Sequence, residues 1–296
     1  MKSKAIIGGI IALVILVIAI IFCIWAGVKI NEKLSEINPN QPSPQSPENP
    51  TSPPTTSNDN LALGNPSNAT QNPSNADNYL LQNNYYALSY NRGKAIANWV
   101  SWKLTAADLG KASRQNDFRP DERLPENWEK VTPYDFSGSG FDRGHICPSA
   151  DRSTTEDANS ATFLMTNIAP QTADLNQGPW EKLETYSRNL ARRGGVIYII
   201  SGNYGARRER VKSKITIPTN FWKIVIVLPP NSNVSSINKD SRVIAVDMPN
   251  LSGIKSKNWR DYRTTVRNIE QKTGYDFLSN LPQSLQNALE IKVDMR

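Results

Sequence analysis

From Ala5 to Val28 the chain carries no charged residue and is dominated by Ile, Val, Leu and Ala. As a helix at ~1.5 Å per residue this run reaches roughly 36 Å, more than the ~30 Å hydrocarbon core of a bilayer. It is also longer than the roughly 7–15 apolar residues of a cleavable signal. The pattern predicts an N-terminal membrane anchor over residues 1–30, spanning the membrane through residues 5–28; cleavage and secretion is the alternative. Lys2 and Lys4 precede the span and Lys29 and Lys33 follow it, so the positive-inside rule is nearly balanced. The short N-terminal tail and the large C-terminal part favour a single-pass protein with its C-terminal domain outside the cytoplasm.

From Glu36 to Asn78 the periodicity disappears. Nine of the twenty prolines fall between Pro39 and Pro73, amid Asn, Ser, Thr and Gln and without a single Lys or Arg. Such a composition buries too little apolar surface to offset its ordering entropy, which predicts a disordered linker over residues 31–78. A folded domain is then expected over residues 79–296. Tyr85–Tyr90 and Ala97–Leu104 read as antiparallel strands joined through Asn91-Arg92-Gly93. Val196–Ser201, Phe221–Leu228 and Val243–Asp247 read as apolar central strands bounded by Gly, Pro or Asn. Between them lie a short helix over Thr154–Phe163, capped by Ser153 or Thr154, and a strand end at Met165–Gln171. A helix from Pro179 to Arg193 follows, with Trp180, Leu183, Tyr186 and Leu190 on its core face. Trp259–Lys272 reads as an amphipathic helix carrying Arg260, Arg263 and Arg267, closed by Gly274, and a last helix covers Ser284–Lys292. Strands and helices mix without regular βαβ alternation. The fold class is therefore α+β, with a central, mainly antiparallel sheet flanked by helices.

Charge adds a class of partner. Residues 79–296 hold thirty lysines and arginines against twenty-two aspartates and glutamates, a surplus of eight positive charges. A basic domain attracts polyanions, nucleic acid first and anionic lipid second. The cysteines are Cys23, inside the apolar run, and Cys147, so the folded part has no internal disulfide framework. Cys147, between Ile and Pro, reads as a packing residue rather than a nucleophile.

His145 is the sole histidine. Imidazole titrates closest to neutral pH, so it is the natural acid–base group. A lone histidine is most often structural, but Phe141-Asp142-Arg143-Gly144-His145-Ile146-Cys147-Pro148 is ill-suited to an apolar core. One histidine and one cysteine in the domain exclude most zinc sites. A metal would be a hard, oxygen-liking cation that keeps much of its water.

Asp142-Arg143-Gly144-His145, then Asn167-Ile168-Ala169-Pro170-Gln171, then Asn176-Gln177-Gly178-Pro179-Trp180-Glu181-Lys182-Leu183-Glu184 resemble, in order and spacing, the DNA/RNA non-specific endonucleases. The likeness covers about residues 80–280. It implies a ββα-metal nuclease fold and a Mg²⁺-dependent, sugar-non-specific endonuclease, with Mn²⁺ as a possible substitute, that cuts DNA and RNA to 5′-phosphate products. In that pattern His145 is the general base, Asn176 the metal ligand, and Glu184, two helical turns on, a group that reaches the metal's water shell. Asn167 orients the site. Arg114 is the arginine that stabilises transition-state charge, with Arg119 and Arg143 as alternatives that also serve substrate binding. Asp142 then fixes backbone or water shell rather than acting as a second base. Residue by residue, simpler roles exist: Asn176 as a helix cap, Glu184 as a solvated helix residue, Arg114 and Arg119 as loop anchors. A different class of protein, a non-catalytic membrane-tethered nucleic-acid receptor, needs the basic surface but neither His145 nor Asn176.

Overall fold

The structure, a computed structural model, describes residues 59–296. The anchor expected over 1–30 and the part of the expected linker over 31–58 lie outside the described residues. Among the described residues no helix is long and apolar enough to cross a membrane.

Seven strands form one antiparallel sheet in the order β1 (Tyr79–Gln82), β2 (Ala87–Asn91), β3 (Ile96–Leu104), β6 (Val196–Tyr204), β9 (Asn220–Leu228), β10 (Arg242–Pro249) and β11 (Arg263–Thr264). Two small pairs accompany it: β4 (Asp142–His145) with β5 (Ile168–Gln171), and β7 (Arg210–Val211) with β8 (Ile215–Thr216). The longer helices are α1 (Glu156–Ala161), α2 (Glu181–Arg192), α3 (Val266–Thr273) and α4 (Gln283–Leu289).

The central strands are apolar without alternation because both sheet faces are covered. One face carries Val100, Trp102, Ile199, Phe221, Val225 and Ile244 and packs against Ile146, Ile168, Trp180 and Leu183 of the β4–β5–α2 layer. The other carries Trp99, Ile200, Trp222, Ile224 and Ala245 and packs against Val266, Ile269, Phe277 and Leu289 around α3 and α4. Each fully buried large apolar side chain contributes about 1.5–3 kcal/mol, so the layering itself holds the sheet rigid behind the β4–β5 pair.

Four sequence expectations need correction. Residues 59–78, read as linker, belong to the fold: Leu63 and Ala69 are buried against the sheet, and the Trp99 indole donates to Ser67 Oγ at 2.7 Å. The cap of α1 is Thr155, whose hydroxyl accepts from the Ala158 amide, rather than Ser153 or Thr154. The helix expected from Pro179 starts at Glu181, after a widened turn over Asn176–Trp180. The expected helix over Trp259–Lys272 is broken: Asn258 caps a single turn at Trp259–Tyr262, Arg263 and Thr264 pair with Val246 and Ala245 of β10, and α3 begins only at Val266. Edge-strand hydrogen bonding outcompetes helix continuation there. Gly274 closes α3 with φ +73°, as expected.

Candidate active site

The β4–β5 pair and α2 form a β-β-helix unit laid on the sheet. In register, His145 lies opposite Ile168 and Asp142 opposite Gln171. Gly144 makes the close pairing possible, because a Cβ there would sit 2.1 Å from Gln171 Oε1. The chain just beyond His145 is clamped by Asn167, which is fully buried. Its Oδ1 accepts from the Cys147 amide at 2.9 Å, while its Nδ2 donates to the Cys147 and Thr162 carbonyls, each at 2.9 Å. With Ile146 N donating to the Asn167 carbonyl, this fixes the backbone that carries the imidazole.

His145 is 9 % exposed and stands between Phe163, met edge-to-face with ring centroids 4.8 Å apart, and Phe118, tilted at 5.4 Å. Its Nε2 has no hydrogen-bond partner. Burial first, and then the charges of Arg114 and Arg143, push its pKa down to about 3. The free protein therefore holds the imidazole neutral, with a lone pair available for a proton.

Asn176 sits in the widened turn ahead of α2. Gly178 in that turn has φ −118° and ψ −118°, and a Cβ there would lie 2.8 Å from Lys255 Cα. Only glycine allows that approach, which locks the turn against the Lys255 loop. Asn176 Nδ2 donates to Asp142 Oδ2 at 2.8 Å, and Gln177 Nε2 donates to the same oxygen at 2.9 Å. Because the amide nitrogen is committed to the carboxylate, Asn176 Oδ1 remains as the oxygen free to bind a ligand.

Two adjoining cavities, of about 400 and 460 Å³, share Arg114, Arg143 and Asn176 as their common rim. The first is walled by Phe118, Phe136, Phe141 and Asp142, and the second by His145, Ser149, Glu181, Glu184 and Arg188. Thus His145, Asn176, Glu184, Arg114 and Arg143, each named from sequence, come together. Arg114 stacks on Phe163 at 4.8 Å and donates to Ser149 Oγ at 2.5 Å and Asn116 Oδ1 at 2.8 Å. Arg143 lies 4.4 Å over Phe118. Of the other two candidates, Asn167 is buried behind the site, and Arg119 likewise lines neither cavity. Its Nη1 donates to the Asp117 carboxylate at 2.7 Å and to the Ser160 carbonyl at 3.0 Å, which ties this loop to α1.

Glu184 rests on a buried charge network that the sequence reading missed. Lys223 of β9 is 1 % exposed; its Nζ lies 4.1 Å over the Trp180 ring and donates to Glu184 Oε1 at 3.2 Å. Arg188, one turn beyond Glu184 on α2, bonds Asp151 Oδ1 at 3.1 Å, and Asp151 in turn accepts from the Trp102 indole at 3.0 Å. Burial raises the Glu184 carboxyl, opposed by Lys223 and Arg188. Both cations carried a sequence signal: Lys223 interrupts an otherwise apolar strand, and Arg188 follows Glu184 at the i+4 spacing of one helix face. Cys147 is fully buried, and burial pushes its thiol above its usual range, as expected of a packing residue.

Among the described residues no three His, Cys, Asp or Glu side chains gather to hold a metal. The available donors are one amide oxygen at Asn176 and a carboxylate deeper in the same cavity at Glu184. That set suits a hard cation that retains most of its water, such as Mg²⁺, and does not suit zinc.

A model of the DNA/RNA non-specific endonuclease family matches residues 63–284, starting within the stretch that the composition had suggested was linker. The chain is 50 % identical over 235 residues to a nuclease of Nostoc sp., covering 79 % of this chain and 85 % of that nuclease. It is 29 % identical over 247 residues to the nuclease of Serratia marcescens, again covering 79 % and 85 %. In fold it is similar to a chain of the crystal structure of the EndoG/EndoGI complex, with a TM-score of 0.63 at 22 % identity over 76 % of this chain and 92 % of that one.

Proposed function

The chain belongs to the DNA/RNA non-specific endonuclease family and is a hydrolytic endonuclease, and from that premise we propose that it cleaves DNA and RNA in a Mg²⁺-dependent reaction, leaving 5′-phosphate ends. One observation carries the reading: the His145 imidazole, kept neutral by burial, lines one cavity with Asn176 and Glu184 under a rim of arginines.

In this mechanism Arg114 and Arg143 take the phosphodiester by its non-bridging oxygens, and their planar guanidinium groups match that geometry. Contacts confined to phosphate read no base edge, which accounts for action on both nucleic acids without sequence preference. Burial is the main cause of the low imidazole pKa; the incoming negative charge offsets the smaller part due to Arg114 and Arg143, so the imidazole becomes a stronger base as substrate binds. The imidazole then removes a proton from a water as its oxygen attacks phosphorus; the P–O3′ bond breaks and its electron pair leaves on the 3′-oxygen. Mg²⁺, held through Asn176 Oδ1, would supply positive charge to the phosphate and to that departing oxygen. Glu184, steadied by Lys223, accepts hydrogen bonds from water in the cavity and keeps it ordered. Asn167 holds the imidazole in place, and the Asp142 carboxylate keeps the Asn176 amide turned with its oxygen outward.

Incubating the full-length chain with DNA and with RNA, varying Mg²⁺, Mn²⁺ and EDTA, tests the reading. Metal-dependent loss of both polymers with 5′-phosphate ends is expected, and intact polymers under every metal condition would overturn it. The anchor over residues 5–28, with the nuclease domain outside the cytoplasm, is proposed alongside. Protease digestion of the domain in intact cells tests that placement; protection from protease would place it inside.

A further inference from the structure

Beside the catalytic cleft, the segment Arg207-Arg208-Glu209-Arg210-Val211-Lys212-Ser213-Lys214 carries five cations and one anion in eight residues. It folds as the β7–β8 hairpin, with Arg210 paired to Thr216 and Val211 to Ile215. Val211 and Ile215 are buried in the core that backs the active site, which seats the hairpin firmly. Its turn places Lys212 and Ser213 at φ +49° and +58°, a conformation in which glycine or asparagine would be less strained. A lysine nevertheless occupies the tip.

Both ends of the hairpin are tied to the cleft wall. At its start Arg207 stacks on Phe141, a wall of the first cavity, with a centroid distance of 5.3 Å. The Arg207 guanidinium also donates to the Asn250 carbonyl, and the Asn250 side chain accepts from the Thr172 amide at 2.8 Å, at the start of the turn leading to Asn176. At its far end Lys214 bonds Asp135 at 3.0 Å and Glu129 at 2.8 Å; Asp135 lies on the Pro133–Phe136 turn that lines the same cavity. On its outer side Arg210 donates to the Gly93 carbonyl at 2.6 Å, bringing Arg92 of the β2–β3 turn alongside. Arg92 stacks on Trp128 at 5.4 Å and shares a third cavity, of about 270 Å³, with Arg210 and Lys214.

The carboxylates of this region are already engaged. Glu129 and Asp135 hold Lys214, Glu209 lies 3.7 Å from Arg207, and Asp77 accepts from the Gly93 amide. Arg92, Arg208, Arg210 and Lys212 are exposed and, among the described residues, form no ion pair. A cluster of uncompensated cations, rigidly mounted and continuous with the cleft through the Arg207–Phe141 contact, has the chemistry of a phosphate-backbone track.

We propose that the β7–β8 hairpin and Arg92 form a second nucleic-acid contact outside the cleft, gripping phosphates that flank the scissile one on long substrates. The proposal rests on the nuclease reading. It makes the enzyme length-selective: long polymers engage hairpin and cleft together, whereas a tetranucleotide reaches only the cleft.

The test measures equilibrium binding of the full-length chain to a 30-base-pair duplex in EDTA over a range of salt, for the wild type and for R208A/R210A/K212A. The triple variant should bind about tenfold more weakly at low salt, and its slope of log affinity against log salt should be shallower by about two to three, since each phosphate contact contributes about 0.9. The lysine-preserving variant R208K/R210K should keep both affinity and slope, which separates lost charge from lost structure. An unchanged affinity and slope in the triple variant overturns the proposal, as does a loss confined to binding of phosphatidylserine vesicles, which would make the hairpin a lipid contact. Cleavage of the 30-base-pair duplex by the wild type, across Mg²⁺ and Mn²⁺, is the separate control. Its absence would sink the nuclease reading itself, whereas its presence with an unaltered triple variant sinks only the hairpin.

Discussion

The two faces of the central sheet are built from the same strands to opposite ends. On β9, Trp222, Ile224 and Ile226 point to the α3–α4 side, where Trp222 meets Phe277 at 4.9 Å and the packing is almost wholly apolar. Phe221, Lys223 and Val225 point to the other side, and there a lysine stands among tryptophans to hold a glutamate at the floor of a cleft. The first face stabilises. The second face gives up stability by burying Lys223, Glu184, Arg188 and Asp151, because desolvating charges costs more than their attraction returns unless the geometry is good. Where a strand of one sheet keeps a charged residue under an otherwise apolar layer, that layer supports a site.

Substitutions on the two faces should therefore separate activity from stability. Among substitutions that leave His145 in place, the largest effect expected is for Asn176→Ala, which removes the oxygen proposed to hold the cation: turnover on DNA and RNA should fall by about 10²–10³-fold, with the thermal midpoint nearly unchanged. Calorimetry beside a cleavage assay checks both halves. Phe277→Ala on the opposite face should do the reverse, costing about 3–5 kcal/mol of stability in a denaturant titration while turnover per folded molecule is retained. Lys223→Met, on the site face, should disturb stability and activity together. It leaves Glu184 buried without its nearest cation and should cost about 3 kcal/mol; adding Glu184→Gln should recover most of that stability without recovering activity.

The remaining effect is in pH dependence. His145 is neutral in the native protein down to about pH 3, whereas in the unfolded chain it takes up a proton below its ordinary value near 6.5. Because the folded pKa is depressed, the His145 contribution to stability is present above pH 6.5 and is lost as pH falls toward 3. Denaturation of His145→Asn across that window should show a shallower acid-side decline than the wild type; an identical decline would mean that the imidazole is not buried and neutral.

How much of this was legible in the sequence depended on which force dominated locally. The central strands were legible because burial on both faces leaves continuous apolar runs, and the motif residues because their chemistry is unusual for a core. Lys223 was passed over for the same reason that its strand was found: the surrounding apolar run set the reading. Residues 59–78 were misassigned because Asn, Pro and Ser serve disorder and dense turn networks alike. Here Asn65 bonds both the amide and the carbonyl of Ala69, and Asn78 Oδ1 accepts from Ser67 and Ser89, so side-chain hydrogen bonds replace the missing apolar periodicity. The break before α3 was hidden because the apolar spacing of Trp259–Lys272 fits a helix, while the pairing of Arg263 and Thr264 to β10 is non-local. Arg119 stood in the sequence as an alternative to Arg114; its bonds to Asp117 and Ser160 are tertiary and could not be read there.

The central claim is that the His145 imidazole is the base for phosphodiester cleavage, and chemical rescue tests it most directly. The full-length His145→Gly chain, with Mg²⁺ present, should lose about 10²–10⁴-fold in turnover on both DNA and RNA, and added imidazole, filling the space between Phe118 and Phe163, should restore part of it for both polymers. Cleavage by His145→Gly at the wild-type rate without imidazole would contradict the account.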